Sequence, residues 1–259
     1  MRSEERDRRR RSRAPLDARA LLTLTQRASV VVLESMAQGE GRLSSVPEVL
    51  AEVDDLVLAT LSRIGRRTRM ARAGDAGAAP SGEWILLVDA IDGLDAYRAR
   101  LPTWATALAL LRRGRPWLAA VVAPALRDTY VSSSGTLRWQ GKVVSAAGKT
   151  GSRGLILGSG LQKRSILRLR RKTELQGSAS YHGCLVARGA AEGAVLGRLT
   201  WRRAAIVETL LRPAQGELVF RKSGAPFELD SMSPDRRTRD VLVAAAAERA
   251  PAVLARLRS

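Results

Sequence analysis

The chain has 259 residues, of which 45% are apolar and 4% aromatic, which is enough for a sizeable globular core. Its 44 basic and 25 acidic residues give a net charge of +19, which favours polyanionic partners such as nucleic acid or phosphorylated metabolites. A single cysteine, Cys184, excludes a disulfide framework and a thiolate metal cluster. No apolar run reaches the ~18 residues that a membrane span needs, so no membrane partner is expected.

The N-terminal segment is rich in arginine and lacks the apolar stretch of a secretory signal. We expect residues 1–14 to form a disordered basic arm and the protein to be cytoplasmic. Apolar residues at helical spacing then predict one helix from Pro15 to Glu34 and a second from Glu48 to Ile64.

A buried strand is predicted from Trp84 to Val88, and it delivers the sequence DAIDGLD, residues 89–95. The short apolar segments that follow, with turns at Gly114 and Gly135, are typical of an antiparallel meander. These patterns predict an N-terminal α+β half that spans residues 15–150.

From Gly154 onward, strand-like and helix-like segments alternate. They include a basic helix-like segment, Lys163 to Lys172, and a final helix from about Thr238 to Leu257. Residues 151–259 are therefore predicted to form a C-terminal α/β half, and the whole chain an α/β (α+β) protein with one cleft between its two halves.

Several segments resemble the inositol monophosphatase family, and they occur in the family's order. WILLVDAIDGLDAY, LPTWATALALL and WLAAVVAP resemble its D-P-I-D-G-T signature and the two strands after it. GSASYHGCLVARGAAEG, WRRAAIVETLLRPAQGELV and GAPFEL are similar to later family segments. The resemblance implies a layered αβαβα sandwich, in which an antiparallel meander sheet precedes a mixed α/β half, and it implies a homodimer.

The family hydrolyses phosphate monoesters with magnesium, a hard ion that takes oxygen ligands and that can activate a water. By this resemblance, Asp89, the Ile91 carbonyl and Asp92 are metal ligands. Gly93 and Leu94 would offer backbone amides to an anion at a helix start. Asp54 corresponds to an upstream aspartate that helps to orient water.

Other parts of the family's site are replaced in this sequence. The signature threonine is Leu94, the stretch RTRMARAGD lacks the family's glutamate, and the aspartate of W-D is Arg202. A guanidinium ~5 Å from a magnesium ion would repel it by roughly 7 kcal/mol at an effective dielectric near 20. Magnesium is therefore expected to bind weakly at most, whereas Arg202 suits a phosphate or carboxylate. His182 replaces a family aspartate close to the expected substrate rim.

Three functions remain open at this point. The first is a divergent inositol-monophosphatase-like protein that lacks ordinary two-metal activity and binds a phosphorylated or acidic small molecule through Gly93, Leu94, Arg202 and His182. The second is an active enzyme with Asp54, Asp92 and Arg202 as catalytic residues. It would be either a slow one-metal phosphomonoesterase or a catalyst repurposed for other chemistry around Asp89, Asp92, Arg202 and His182. The third is a basic module that binds nucleic acid or another polyanion.

Overall fold

The computed structural model describes residues 14–38, 46–64, 68–71, 83–133, 135–148, 155–158, 173–175, 177–229 and 237–258. Residues 1–13 of the expected basic arm and the segment Lys163–Lys172 lie outside the described residues. The described residues form alternating layers of helix, sheet, helix, sheet and helix. The predicted αβαβα sandwich is therefore confirmed.

The first sheet is a meander with one added parallel strand. Among the described residues its strands lie in the order β1 (Thr68–Ala71), β2 (Trp84–Asp92), β3 (Ala105–Arg112), β4 (Arg115–Ala123), β5 (Asp128–Ser133), β6 (Thr136–Trp139) and β7 (Lys142–Val144). β1 pairs with β2 in parallel, and the later neighbours are antiparallel. The predicted turns fall at Gly114 and Gly135, where φ is +78° and +80°, because glycine adopts this left-handed backbone without a Cβ clash.

The two faces of this sheet pack into different cores, because successive side chains in a strand point to opposite sides. Ile85 and Leu87 belong to the central core, whereas Trp84 and Leu86 belong to the outer one. The outer core is covered by helices α1 (Ala18–Gln38) and α2 (Val46–Ile64). Both helices match their predicted positions to within a few residues at each end.

The second sheet is mixed, and helices cover both of its faces. Among the described residues its strand order is β11-β12-β10-β8-β9, with β8 (Ile156–Gly158), β9 (Thr173–Leu175), β10 (Gly193–Gly197), β11 (Gly216–Phe220) and β12 (Leu242–Ala246). The helices α4 (Ala179–Ala187) and α5 (Trp201–Leu211) contribute to the core between the two sheets. Helix α6 (Ala250–Arg258) packs on the outer face.

The predicted final helix from Thr238 to Leu257 is wrong in its first half. Its alanine-rich segment forms the buried strand β12, which pairs with β10 and β11, and helix α6 starts only at Ala250. Alanine favours helix in isolation, but pairing on both edges and burial on both faces outweigh that preference here. No helix in the described part of the chain is both long enough and apolar enough to cross a membrane.

Candidate functional site

Two aspartates at the end of β2 form the base of the candidate site. The pairing of β2 with β3 shifts between Asp89, opposite Ala107, and Asp92, opposite Ala105. In a regular strand, residues three apart point to opposite faces of the sheet. The bulge adds one residue to β2, so the Asp89 and Asp92 carboxylates can both contact the same side chain of a facing helix. Thr106 Oγ1 donates to the Ala90 carbonyl at 2.8 Å and stabilises the bulge.

A close backbone contact fixes helix α4 against this strand end. Gly93 follows Asp92 with φ +94°, and a Cβ on it would lie 2.9 Å from the Gly177 carbonyl carbon. Leu94 then begins the short helix α3 (Leu94–Arg98). The contact between the two glycines places the start of α4 beside Asp92.

Asp92 is held by the N-terminal turn of α4. Its Oδ2 accepts hydrogen bonds from Ser178 Oγ at 2.8 Å, from the Ser180 amide at 2.7 Å and from Ser180 Oγ at 2.7 Å. Ser178 also caps the helix, because its Oγ accepts from the Tyr181 amide at 3.1 Å. The three hydrogen bonds therefore fix the orientation of the Asp92 side chain at the N-terminus of α4, where the helix dipole favours an acidic residue.

Two arginines in the first turn of α5 face these aspartates. Arg203 Nε donates to Asp89 Oδ2 at 2.7 Å and lies 3.4 Å from Asp92 Oδ1. Arg202 Nη2 lies 3.5 Å from Asp89 Oδ1, and its Nη1 donates to the Val88 carbonyl. Cations are unfavourable at a helix N-terminus, and the two carboxylates offset that cost. We call these four side chains, Asp89, Asp92, Arg202 and Arg203, the ion-paired cluster.

The electrostatics of the cluster follow from this geometry. Burial acts to raise the pKa of Asp89, but Arg202 and Arg203 outweigh it and hold that pKa below its usual value. Asp89 in turn raises the pKa of Arg203 above its usual value, against the effect of burial. Two carboxylates and two guanidiniums give the cluster a formal charge of zero.

The side chains of the cluster, as arranged, do not fit a magnesium centre. Both oxygens of Asp89 face a guanidinium, and Asp92 Oδ2 accepts three hydrogen bonds. Asp92 Oδ1 accepts no hydrogen bond among the described residues, but the Arg203 Nε lies 3.4 Å from it. A guanidinium has no lone pair for a metal. Within the described residues no group of three or more His, Cys, Asp or Glu side chains could hold an ion.

The other predicted site residues lie at varied positions. Ile91 is buried in β2, Leu94 is half-buried against the outer core, and Asp54 is half-buried in the middle of α2. His182 is 1% exposed on α4, and its Nδ1 has no hydrogen-bond partner among the described residues. Burial lowers the pKa of His182 to about 4, so at neutral pH this side chain is uncharged.

Sequence reasoning missed three residues that hold the cluster together: Arg203, Ser178 and Ser180. The doublet Arg202-Arg203 was the available signal for the first, because two adjacent arginines at a helix start can both reach the strand end. The two serines belong to the GSASYH segment, in which only His182 was predicted to contribute to the site.

Comparisons with known proteins support the fold. No protein-family model matches the chain, and no curated protein matches it. Solved structures do match. An IMPase of Thermotoga maritima has a TM-score of 0.76 at 17% identity over 92% of this chain and 94% of its own. SuhB of Mycobacterium tuberculosis has 0.71 at 19% identity over 93% and 95%.

A third match is a 2'-AMP-bound inositol monophosphatase II (SaIMPase-II), with a TM-score of 0.73 at 16% identity over 90% of both chains. These likenesses show that the chain has the inositol monophosphatase fold. At such low identity they leave the chemistry of this chain to be argued from its own residues.

Proposed function

We propose that this chain is a divergent inositol-monophosphatase-like protein that lacks ordinary two-metal hydrolysis and binds a phosphorylated or acidic small molecule. One observation carries the proposal: Arg202 and Arg203 are ion-paired to Asp89 and Asp92, the aspartates that the family resemblance assigns to metal.

The loss of hydrolysis follows from the chemistry of the guanidinium. A hydrolytic metal centre needs ligand oxygens and turns a bound water into a nucleophile. An arginine supplies positive charge but stays protonated at all ordinary pH values, so it cannot act as a base. The two guanidiniums therefore supply hydrogen-bond donors that suit an anion, but they do not supply a group that would activate water.

Anion binding is supported by the part of Arg203 that the aspartates leave available. Both of its ion pairs run through Nε, 32% of its side chain is exposed, and its Nη groups meet no acceptor among the described residues. A guanidinium fork can hold a phosphate or carboxylate with two parallel hydrogen bonds. The phosphate monoester bound by SaIMPase-II is a ligand of this class.

The expected affinity is modest because the cluster is neutral overall. Two charge-assisted hydrogen bonds at about 1.5–3 kcal/mol each give about 3–6 kcal/mol, which corresponds to dissociation constants from above 1 mM to tens of micromolar. A ligand with a second anionic or hydroxyl group would bind more tightly than inorganic phosphate.

Isothermal titration calorimetry with 2'-AMP and with inorganic phosphate, in the presence of EDTA, tests whether the protein binds an anion without metal. We expect binding without metal that weakens at least several-fold in Arg203→Lys, which keeps the charge but loses the fork. Arg239→Gln, an exposed arginine beside the second sheet, is the control for a surface charge elsewhere and should bind as the wild type does. No binding of either ligand, or equal binding in Arg203→Lys, contradicts the anion-binding half of the proposal.

A phosphatase assay tests the other half. Inositol monophosphates, sugar phosphates and 2'-AMP are incubated with magnesium, and the rate is compared with that of Asp92→Asn. We expect no turnover above this variant. Magnesium-dependent release of phosphate that disappears in Asp92→Asn would instead establish the active one-metal enzyme.

A further inference from the structure

A second cluster lies at the opposite end of the first sheet. Trp84 of β2, Arg112 of β3 and Trp117 of β4 form a row across three strands. Arg113 lies in the two-residue turn that joins β3 to β4, and Arg115 is the first residue of β4. We call these five residues the tryptophan–arginine patch. Eight strand steps from Trp84 to Asp92 place it about 26 Å from the ion-paired cluster, so it is separate from that site.

The patch is built by a specific irregularity. Pairing of β3 with β4 shifts between Leu110, opposite Leu118, and Leu111, opposite Pro116, so Trp117 is an extra residue on its strand. Bulges re-aim side chains, and here the bulge brings Trp117 edge-on against Trp84, with ring centroids 5.7 Å apart. The Arg112 guanidinium lies 5.4 Å and 5.8 Å from the two ring centroids.

Exposure and charge indicate what this arrangement contacts. Trp84 is buried, but Trp117 is 46% exposed, and Arg113 and Arg115 beside it are exposed. Arg112 lies 3.7 Å from Glu83, so the patch and its acidic neighbour carry a formal charge of +2. The chain as a whole carries +19, which attracts polyanions to any such surface.

We propose that the tryptophan–arginine patch binds single-stranded nucleic acid. A base stacks on the Trp117 ring, which Trp84 and Arg112 hold in place, and the flanking phosphates contact Arg113 and Arg115. Aromatic rings supply stacking that tolerates any base, and arginines supply the phosphate contacts. A folded protein partner fits less well, because one aromatic side chain and a two-residue turn fall far short of the ~800 Å² per partner of a stable interface.

Fluorescence anisotropy of a labelled single-stranded RNA and DNA of about 20 nucleotides tests this proposal on the full chain. Trp117→Ala should weaken binding about 5–150-fold, the range that loss of one base stack implies, and leave the salt dependence unchanged. Arg113→Gln/Arg115→Gln should reduce the slope of log affinity against log salt by about 1.4, since each phosphate contact on a single strand contributes about 0.7.

The control is Arg239→Gln/Arg249→Gln, which removes the same charge on either side of β12 in the second sheet. This control should reduce the slope of log affinity against log salt by less than Arg113→Gln/Arg115→Gln does. Inorganic polyphosphate, which has charge but no bases, should bind Trp117→Ala as well as it binds the wild type.

Several results would overturn the proposal. One is equal binding by Trp117→Ala and the wild type, which assigns the affinity to basic residues elsewhere. Another is the same reduction of the salt slope in Arg113→Gln/Arg115→Gln and in the control variant, which would mean that the nucleic acid responds to the overall charge and not to the patch. A third is a wild-type dimer that light scattering shows to dissociate in Trp117→Ala, which makes the patch a contact between two copies of this chain. The proposed function at the ion-paired cluster is unaffected by any of them.

Discussion

Arg203 is the residue on which the ion-paired cluster depends most. Its Nε lies within ion-pair distance of both aspartates, whereas Arg202 approaches only Asp89. Asp89 and Asp92 are almost fully buried, so each needs a compensating charge or hydrogen bonds. Asp92 has its serine donors as well, but Asp89 relies on the two guanidiniums. Loss of Arg203 should therefore leave the Asp89 carboxylate less well compensated than the Asp92 carboxylate.

We expect Arg203→Ala to lower the free energy of unfolding by about 2–3 kcal/mol, somewhat less than the full cost of breaking a buried pair because Arg202 remains close to Asp89. Urea denaturation at neutral pH measures the change. Adding Asp89→Asn to this variant removes the uncompensated charge and should recover part of the loss, which a double-mutant cycle quantifies. A loss within about 0.5 kcal/mol, the size expected for the exposed Arg239→Ala, would mean that the pair contributes little.

His182 makes the folding stability of the protein depend on pH in a range where few other side chains titrate. It is the only histidine in the sequence, and burial lowers its pKa to about 4 in the folded state from an ordinary value of 6.5. On acidification the unfolded chain takes up the proton first. The stability that His182 contributes is therefore complete above pH 6.5 and is lost as the pH falls from 6.5 toward 4.

Between pH 7.5 and pH 5 we expect His182 to reduce the free energy of unfolding by about 2 kcal/mol, since one unit of pKa shift corresponds to about 1.4 kcal/mol. Urea denaturation at both pH values measures the loss. His182→Asn, which does not titrate, should show a much smaller one. Equal pH dependence in the two proteins would mean that His182 takes up its proton as readily in the folded state as in the unfolded chain.

Part of the candidate site could be predicted from the sequence. The resemblance pointed to Asp89, Asp92, Gly93 and Arg202, and the structure brings the two aspartates and Arg202 into one ion-paired cluster. Arg203 was missed because neighbouring residues on a helix point in directions about 100° apart. If Arg202 points toward the strand end, helix geometry predicts that Arg203 points elsewhere. In the first turn of α5, long side chains from both positions reach the strand end.

At the scale of elements, the contact between the end of β2 and the start of α4 positions the cluster. Gly93 and Gly177 approach so closely that a Cβ on either would meet an atom of the facing segment at 2.9 Å or less. This approach lets Ser178 and Ser180 reach Asp92. Side chains at these positions would push α4 away from the strand and disturb both the fold and the site.

Gly93→Ala should lower the free energy of unfolding by about 2–5 kcal/mol, because about 1–2 kcal/mol of left-handed backbone strain adds to the overpacking cost. Gly141→Ala is the matched control, since Gly141 has φ +79° and a Cβ on it would meet no atom within 4 Å, so it should cost only the strain. Urea denaturation of both variants isolates the clash. Equal losses would show that α4 yields easily at this contact.

The elements themselves were predictable where one physical signal dominated. α1 and α2 cover one face of a sheet, so their apolar residues recur at helical spacing. The meander was visible because Gly114 and Gly135 mark its turns. β12 was not predictable, since its alanines favour helix locally and its pairing partners lie far away in the sequence.

For the whole molecule, the ion-paired cluster acts as an internal link between layers. The aspartates belong to the first sheet, and the arginines and serines belong to the two helices that pack between the sheets. Asp89 and Arg203 are 114 residues apart in the chain, so their contact closes a long loop. In a metal-dependent phosphatase, ions would connect such acidic residues, whereas here the protein's own guanidiniums do so.

Thermal stability should therefore be independent of magnesium. Anything that binds only the folded state raises the melting temperature, so a protein with an occupied metal site would melt higher in about 10 mM magnesium than in EDTA. We expect a shift of less than about 1 °C for the wild type at matched ionic strength.

Arg202→Asp/Arg203→Ala restores a carboxylate at the W-D position and removes the competing cation. This variant should be less stable in EDTA and should gain several degrees from magnesium, since 1 kcal/mol corresponds to about 2–4 °C for a chain of this size. A similar gain in the wild type would show that an ion displaces the guanidiniums from Asp89 and Asp92, and the ion-paired cluster would then be a metal site.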